Sequence, residues 1–207
     1  MRRREGETPV SDQEGLPSLR GKAADILARL SSTEREALLI KCWMSHDARW
    51  FMTVAREYGM EVANRLNQAA AHEIGKVEAR RIVRALELPP LTTVDEYLLA
   101  QEVFIGLLGP ELLDYEVTKV GDEAWQIRVL RCFANENAVR AGVADAYDCG
   151  IFARTTGWLE ALGLDYEMAP PLGRCQKVGG RECAYTFRLK PESPPVGTPV
   201  ETAHGLS

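Results

Sequence analysis

The chain has 207 residues, 45% of them hydrophobic and 27% charged, with a formal net charge of −5. This is enough apolar material for one cored domain with a small extension. Acidic and basic residues are interspersed, so no basic surface speaks for nucleic acid as the partner. The most apolar stretch, 97–108, is broken by Gln101 and Glu102 and is too short for a membrane span.

Residues 1–20 are polar, carry Gly6, Pro9, Gly15 and Pro17, and read as a flexible segment. No apolar run follows Met1-Arg-Arg-Arg, so no signal peptide is expected and the chain reads as cytoplasmic. A single α+β domain is expected over 21–189, helical over 21–109 and mixed over 110–189, with a disordered tail at 190–207. Thr33 and Glu36 form a capping-box pattern that opens a helix running to Tyr58 and stopping at Gly59. Leu39, Trp43, His46, Trp50 and Val54 share one face of it. A second helix is expected over 61–87, burying Ala63, Leu66, Ala70, Ile74 and Val77, and a third over 93–107. The period then changes. Residues 112–120 and 124–132 alternate and read as a hairpin around Gly121-Asp122. Residues 143–162 read as a helix ended by Gly163, and 164–168 and 183–189 as further strands. The result is an α+β fold: N-terminal helices on a mixed, mainly antiparallel sheet, with a C-terminal helix and hairpin carrying cysteines.

Five cysteines is an odd count in a chain that is no small secreted scaffold, which favours reduced thiols or metal ligation over disulfides. Cys149 lies in the predicted 143–162 helix. Cys175 and Cys183 bracket a loop that Gly179-Gly180 allows to reverse tightly. Soft thiolates gathered from separate elements suit zinc or another thiophilic divalent metal. Buried or merely reactive thiols are the alternative, since free cysteine is among the most buried residue types.

Arg131-Cys132-Phe-Ala, then Cys149, then Gly179-Gly-Arg-Glu-Cys183-Ala-Tyr-Thr-Phe resembles the L-2-amino-thiazoline-4-carboxylic acid hydrolase-like family. The helical stretch 54–86 is similar to that family as well. The spacing of Cys149, Cys175 and Cys183 also resembles the 4-vinyl reductase-type small-molecule-binding domain. That resemblance implies zinc on these three cysteines plus a Glu three residues before the middle one. Leu172 occupies that place here, leaving Asp148, Glu167, His46 or water for the fourth position.

The second candidate is Ser45-His46-Asp47-Ala-Arg49-Trp50-Phe51, which resembles a run found in a family of uncharacterised bacterial proteins. On an apolar face, His46 with Asp47 would serve as a general base, beside Trp43 and Trp50 as substrate walls. A hydrogen-bonded core histidine is the plainer alternative. Asn67 and Glu73, at the edge of the next helix's stripe, are candidate substrate contacts or solvated boundary residues. No phosphate loop, dinucleotide fingerprint, serine elbow or His-Glu-x-x-His motif occurs. Two functions are therefore expected. One is a metal-dependent hydrolase of a small C–N ring or amide compound, similar to the thiazoline carboxylate hydrolases, in which the metal activates water or the Cys149 thiolate attacks and His46 with Asp47 handles the proton. The other is a non-catalytic small-molecule-binding or sensor module with a structural zinc. The partner in either case is a small molecule, without nucleic acid or membrane, and a homo-oligomer stays open.

Overall fold

The structure, a computed structural model, describes residues 16–190. The expected disordered tail, apart from Lys190, and most of the expected flexible N-terminal segment lie outside the described residues. The described residues fall into two compact units, 16–43 and 44–190.

The first unit holds α1 (Leu16–Leu27) and the opening of α2 (Ser32–Tyr58). Residues 16–20 are thus helical, not loop. The capping box lies two residues earlier than expected. Ser31 Oγ accepts the Glu34 N–H at 3.2 Å, and the Glu34 carboxylate accepts the Ser31 N–H at 2.9 Å. The same Ser/Thr-x-x-Glu pattern occurs twice in this run, and the upstream copy caps.

The second unit contains the rest of α2, α3 (Met60–Ala85), α4 (Val94–Leu108), β1 (Leu113–Gly121), β2 (Ala124–Cys132), α5 (Phe133–Arg140), α6 (Ile151–Ala161), β3 (Tyr166–Ala169) and β4 (Cys183–Leu189). The fold is α+β. Its four strands lie in the order β1-β2-β4-β3, with all three pairings antiparallel, so the sheet is not mixed. The hairpin falls where the alternation placed it. Trp125, Ile127 and Val129 of β2 and Cys183, Tyr185, Phe187 and Leu189 of β4 face one core. Phe152 of α6 packs on Tyr185 in that core at 4.0 Å between ring centroids.

α3 packs on α6 by a close crossing. A Cβ on Gly75 would lie 2.3 Å from the Arg154 carbonyl oxygen, and one on Gly157 would lie 2.1 Å from that of His72. Only glycine lets two backbones approach this far. Beside the crossing, the Glu78 carboxylate accepts Arg154 Nε at 2.7 Å and Trp158 Nε1 at 3.3 Å, with a second Arg154 nitrogen on its other oxygen. The buried face of α3 is Ala63, Asn64, Gly75, Glu78, Ala79 and Ile82, and Ala70 is exposed. The apolar stripe expected for this helix is therefore rotated, because small and polar residues build the contact. Thr93 caps α4 with Glu96, whose carboxyl is held below its usual range by the N–H groups of Thr92 and Thr93.

Candidate functional site

Four buried cysteines of the second unit come from four different segments: Cys132, Cys149, Cys175 and Cys183. All are reduced, as is the exposed Cys42. Cys132 ends β2. Strict alternation from Trp125, Ile127 and Val129 would point Arg131 inward and Cys132 out. The register slips instead: Asp114 pairs with Arg131 and Tyr115 with Val129, leaving Leu130 unopposed on β1. That bulge restores Cys132 to the core side, and Leu130 and Arg131 are exposed. Cys183 opens β4 directly opposite Val129, on the same face.

Cys149 does not sit on a helix. The expected 143–162 helix is broken into a short 3-10 turn at Ala144–Ala146, an extended stretch, and α6 from Ile151. The extended stretch pairs with the loop ahead of Cys175. Cys149 N–H donates to the Gly173 carbonyl at 2.8 Å and Cys175 N–H to the Tyr147 carbonyl at 3.0 Å, around a bridge between Asp148 and Arg174. Two distant cysteines are thus tied together through backbone. α3 holds the same stretch from behind. Asn64 donates to the Ala146 carbonyl at 2.6 Å and accepts the Asp148 N–H at 3.0 Å, and Gln68 donates to the Cys149 carbonyl at 3.2 Å.

Each of the six pairs among the four thiols lies within electrostatic reach. Burial pushes Cys149 up to about 12. The Phe152 N–H pulls against this, and the other three sulfurs push with it. Cys183 is likewise pushed up to about 12 by burial, then by Cys175 and Cys132, with Lys177 opposing. Burial also raises Cys132, against the backbone N–H groups of Asn135 and Ala134 at the start of α5. Lys177 is fixed at the bulge, donating to the carbonyls of Val129 at 3.0 Å and Leu130 at 2.8 Å. Asn135 Nδ2 donates to Cys175 Sγ at 3.7 Å. At neutral pH Cys132, Cys149 and Cys183 are thiols, and a metal must displace their protons to bind. The donor set suits a soft metal ion. Among the described residues, however, no three His, Cys, Asp or Glu side chains stand converged on one metal position. Ligation therefore requires the side chains to close inward.

The structure thus groups Cys149, Cys175 and Cys183 and adds Cys132, while His46 and Asp47 stand elsewhere. The His46 side chain is 75% exposed, on the surface of α2, with Nδ1 3.3 Å from Asp47. Trp50 is 41% exposed and Leu39 64%. Of the face expected to be apolar and buried, Leu39, His46 and Trp50 are solvated and only Trp43 and Val54 are half-buried; Phe51, against Tyr147 at 5.6 Å, marks the buried side. Trp43 is half-buried in the first unit. Glu73 is exposed and pairs with Lys76 at 3.3 Å. Asn67, half-buried, does reach the cysteine region: a Cβ on Gly150 would lie 2.7 Å from its Nδ2. Sequence patterns gave no sign of Asn64 or Gln68, polar residues outside the apolar stripe expected for this helix. None of the described helices is long and apolar enough to cross a membrane.

No curated protein matches this chain. Residues 29–156, more than half of it, match a family described as a family of unknown function, DUF6125, a stretch that includes Cys132 and Cys149 but ends before Cys175. The chain belongs to that family.

Proposed function

We propose that this chain is a non-catalytic small-molecule-binding module stapled by a thiophilic divalent metal, zinc foremost, on Cys132, Cys149, Cys175 and Cys183. The observation that supports this reading is the burial of four reduced thiols from four segments, three of which, Cys132, Cys149 and Cys183, share one core, while Cys175 is tied to the Cys149 stretch through backbone hydrogen bonds. Cys132 supplies the ligand that the three-cysteine pattern lacks at Leu172. Four thiolates close a tetrahedral site, and a closed site is structural, leaving no open position for water activation. It would clip the end of β2 and the start of β4 to the stretch ahead of α6. The hydrolase reading draws no support from His46 and Asp47, which pair with each other in solvent. The resemblance to the 4-vinyl reductase-type domain accords with the binding-module reading.

The test is elemental analysis of protein purified without chelator from zinc-supplemented cells, alongside Cys→Ser variants at each position. About one zinc per chain is expected in the parent and in Cys42→Ser. It is expected to fall away in each of the four others, with circular dichroism reporting whether each still folds. A metal-free, folded parent protein contradicts the reading.

A further inference from the structure

Buried polar groups normally have hydrogen-bond partners. In one place in the second unit several do not. Tyr97 Oη, both ends of the Gln101 amide and Trp125 Nε1 are enclosed without a partner among the described residues. The three residues are between 0% and 1% exposed. They form one group. Tyr97 and Gln101 lie one turn apart on α4, both buried, and the Trp125 ring from β2 packs on Tyr97 at 5.1 Å. Phe187 stacks on the other ring contact of Trp125 at 5.3 Å, nearly parallel at 12°. It also meets Phe152 and Tyr166.

As pure core, the group is poorly chosen. Phenylalanine at 97 and methionine at 101 would fill the same space and leave nothing unpaired. Four unsatisfied polar atoms on three fully buried residues, two of them in ring contact and two a turn apart on α4, point to a partner from outside the chain. The chemistry of that partner follows from the donors. Trp Nε1 only donates, Tyr O–H donates and accepts, and the Gln amide does both, so donors predominate and an acceptor oxygen is called for. None of the three residues carries a charge, and an ion buried without a counter-charge is strongly disfavoured. Ring walls favour a flat molecule. We propose that Tyr97, Gln101 and Trp125 form a binding site for a small, flat, uncharged molecule bearing a carbonyl or carboxamide. This inference rests on the reading of the chain as a binding module and not on the metal.

The test is thermal unfolding of the full chain with benzamide, 2-pyridone or cyclohexanone, and with benzoate as the charged counterpart. At least one neutral probe is expected to raise Tm in a dose-dependent way, and benzoate is not. Tyr97→Phe and Gln101→Met are expected to lose that shift while matching or exceeding the parent's Tm without probe, since each removes an unpaired atom. No response to any neutral probe, an equal response to benzoate, or the full shift kept in both variants overturns the proposal. So does a lower probe-free Tm in both variants with no probe response, the sign of groups satisfied by buried water only. Zinc content of the same samples separates this inference from the metal reading. Metal without a probe response sinks the inference alone, and a probe response without metal sinks the metal reading alone.

Discussion

The cysteine region and the His46 patch of α2 both carry side chains able to bind metals or move protons, with opposite outcomes. Cys132, Cys149, Cys175 and Cys183 span 51 positions of chain and end up within reach of one another. His46 and Asp47 are neighbours in sequence and stand together in solvent. The difference lies in what holds each. Strand pairing, a bulge, a two-residue bridge and the Asn64 clamp all converge on the sulfurs. On α2, the sequence carries apolar residues around much of the helix, and Phe51 takes the core. Backbone pairing, more than local residue chemistry, decides which polar side chains become enclosed.

The comparison can be broken at several points. The largest effect is expected from alkaline pH on the metal-free protein. Cys149 and Cys183 bind their protons more tightly when folded, up to about 12 in each case, than the ordinary thiol value near 9. Their contribution is fully present below pH ~9 and is lost as pH rises toward ~12, a loss of several kcal/mol. Denaturant midpoints measured from pH 7 upward should fall across that window, and the fall should shrink in the Cys149→Ser, Cys183→Ser double variant. A flat profile would mean the thiols are not held as described.

Asn64→Ala comes next. It removes two hydrogen bonds to the 146–148 backbone and leaves a buried N–H and a carbonyl without their clamp, at about 1–3 kcal/mol. The clamp holds Cys149, so maleimide labelling of that cysteine should quicken more than the change in global stability explains. The smallest effect is expected at His46→Ala. An exposed side chain with one ion-pair partner should alter stability by no more than about 0.5 kcal/mol and leave zinc content and probe binding untouched. A large loss there would reinstate α2 as part of the site.

Much of this architecture was legible in the residues. The hairpin over 112–132 followed from alternation, and the helix expected over 93–107 lies one residue further on, as α4. The turn between Cys175 and Cys183 was legible in Gly179-Gly180, both of which adopt positive φ. Cys132 was visible as a strand end, yet its inward aim was hidden, because a bulge at Leu130 reverses the parity that alternation implies. Helical periodicity carried on through 143–150, where the chain leaves the helix to pair with 173–175, contacts 24 to 28 residues distant that no local pattern encodes. α3 misled for a related reason. Glycine, asparagine and glutamate share its buried face with Ala63, Ala79 and Ile82, and Gly75, like Gly157 opposite it on α6, reads as a helix breaker until the partner helix is known.

Proton release on zinc uptake measures the central claim most directly. The demetallated protein, kept reduced, is titrated with zinc at pH 7.5 in two buffers of different ionisation enthalpy, and the protons released per zinc bound are counted by calorimetry. A thiol gives up its proton on ligating zinc, so about four protons per zinc are expected in the parent, while Cys132→Ser is expected to take up no zinc and release none. Absence of zinc uptake by the parent, or the same proton count with and without Cys132, would contradict the account.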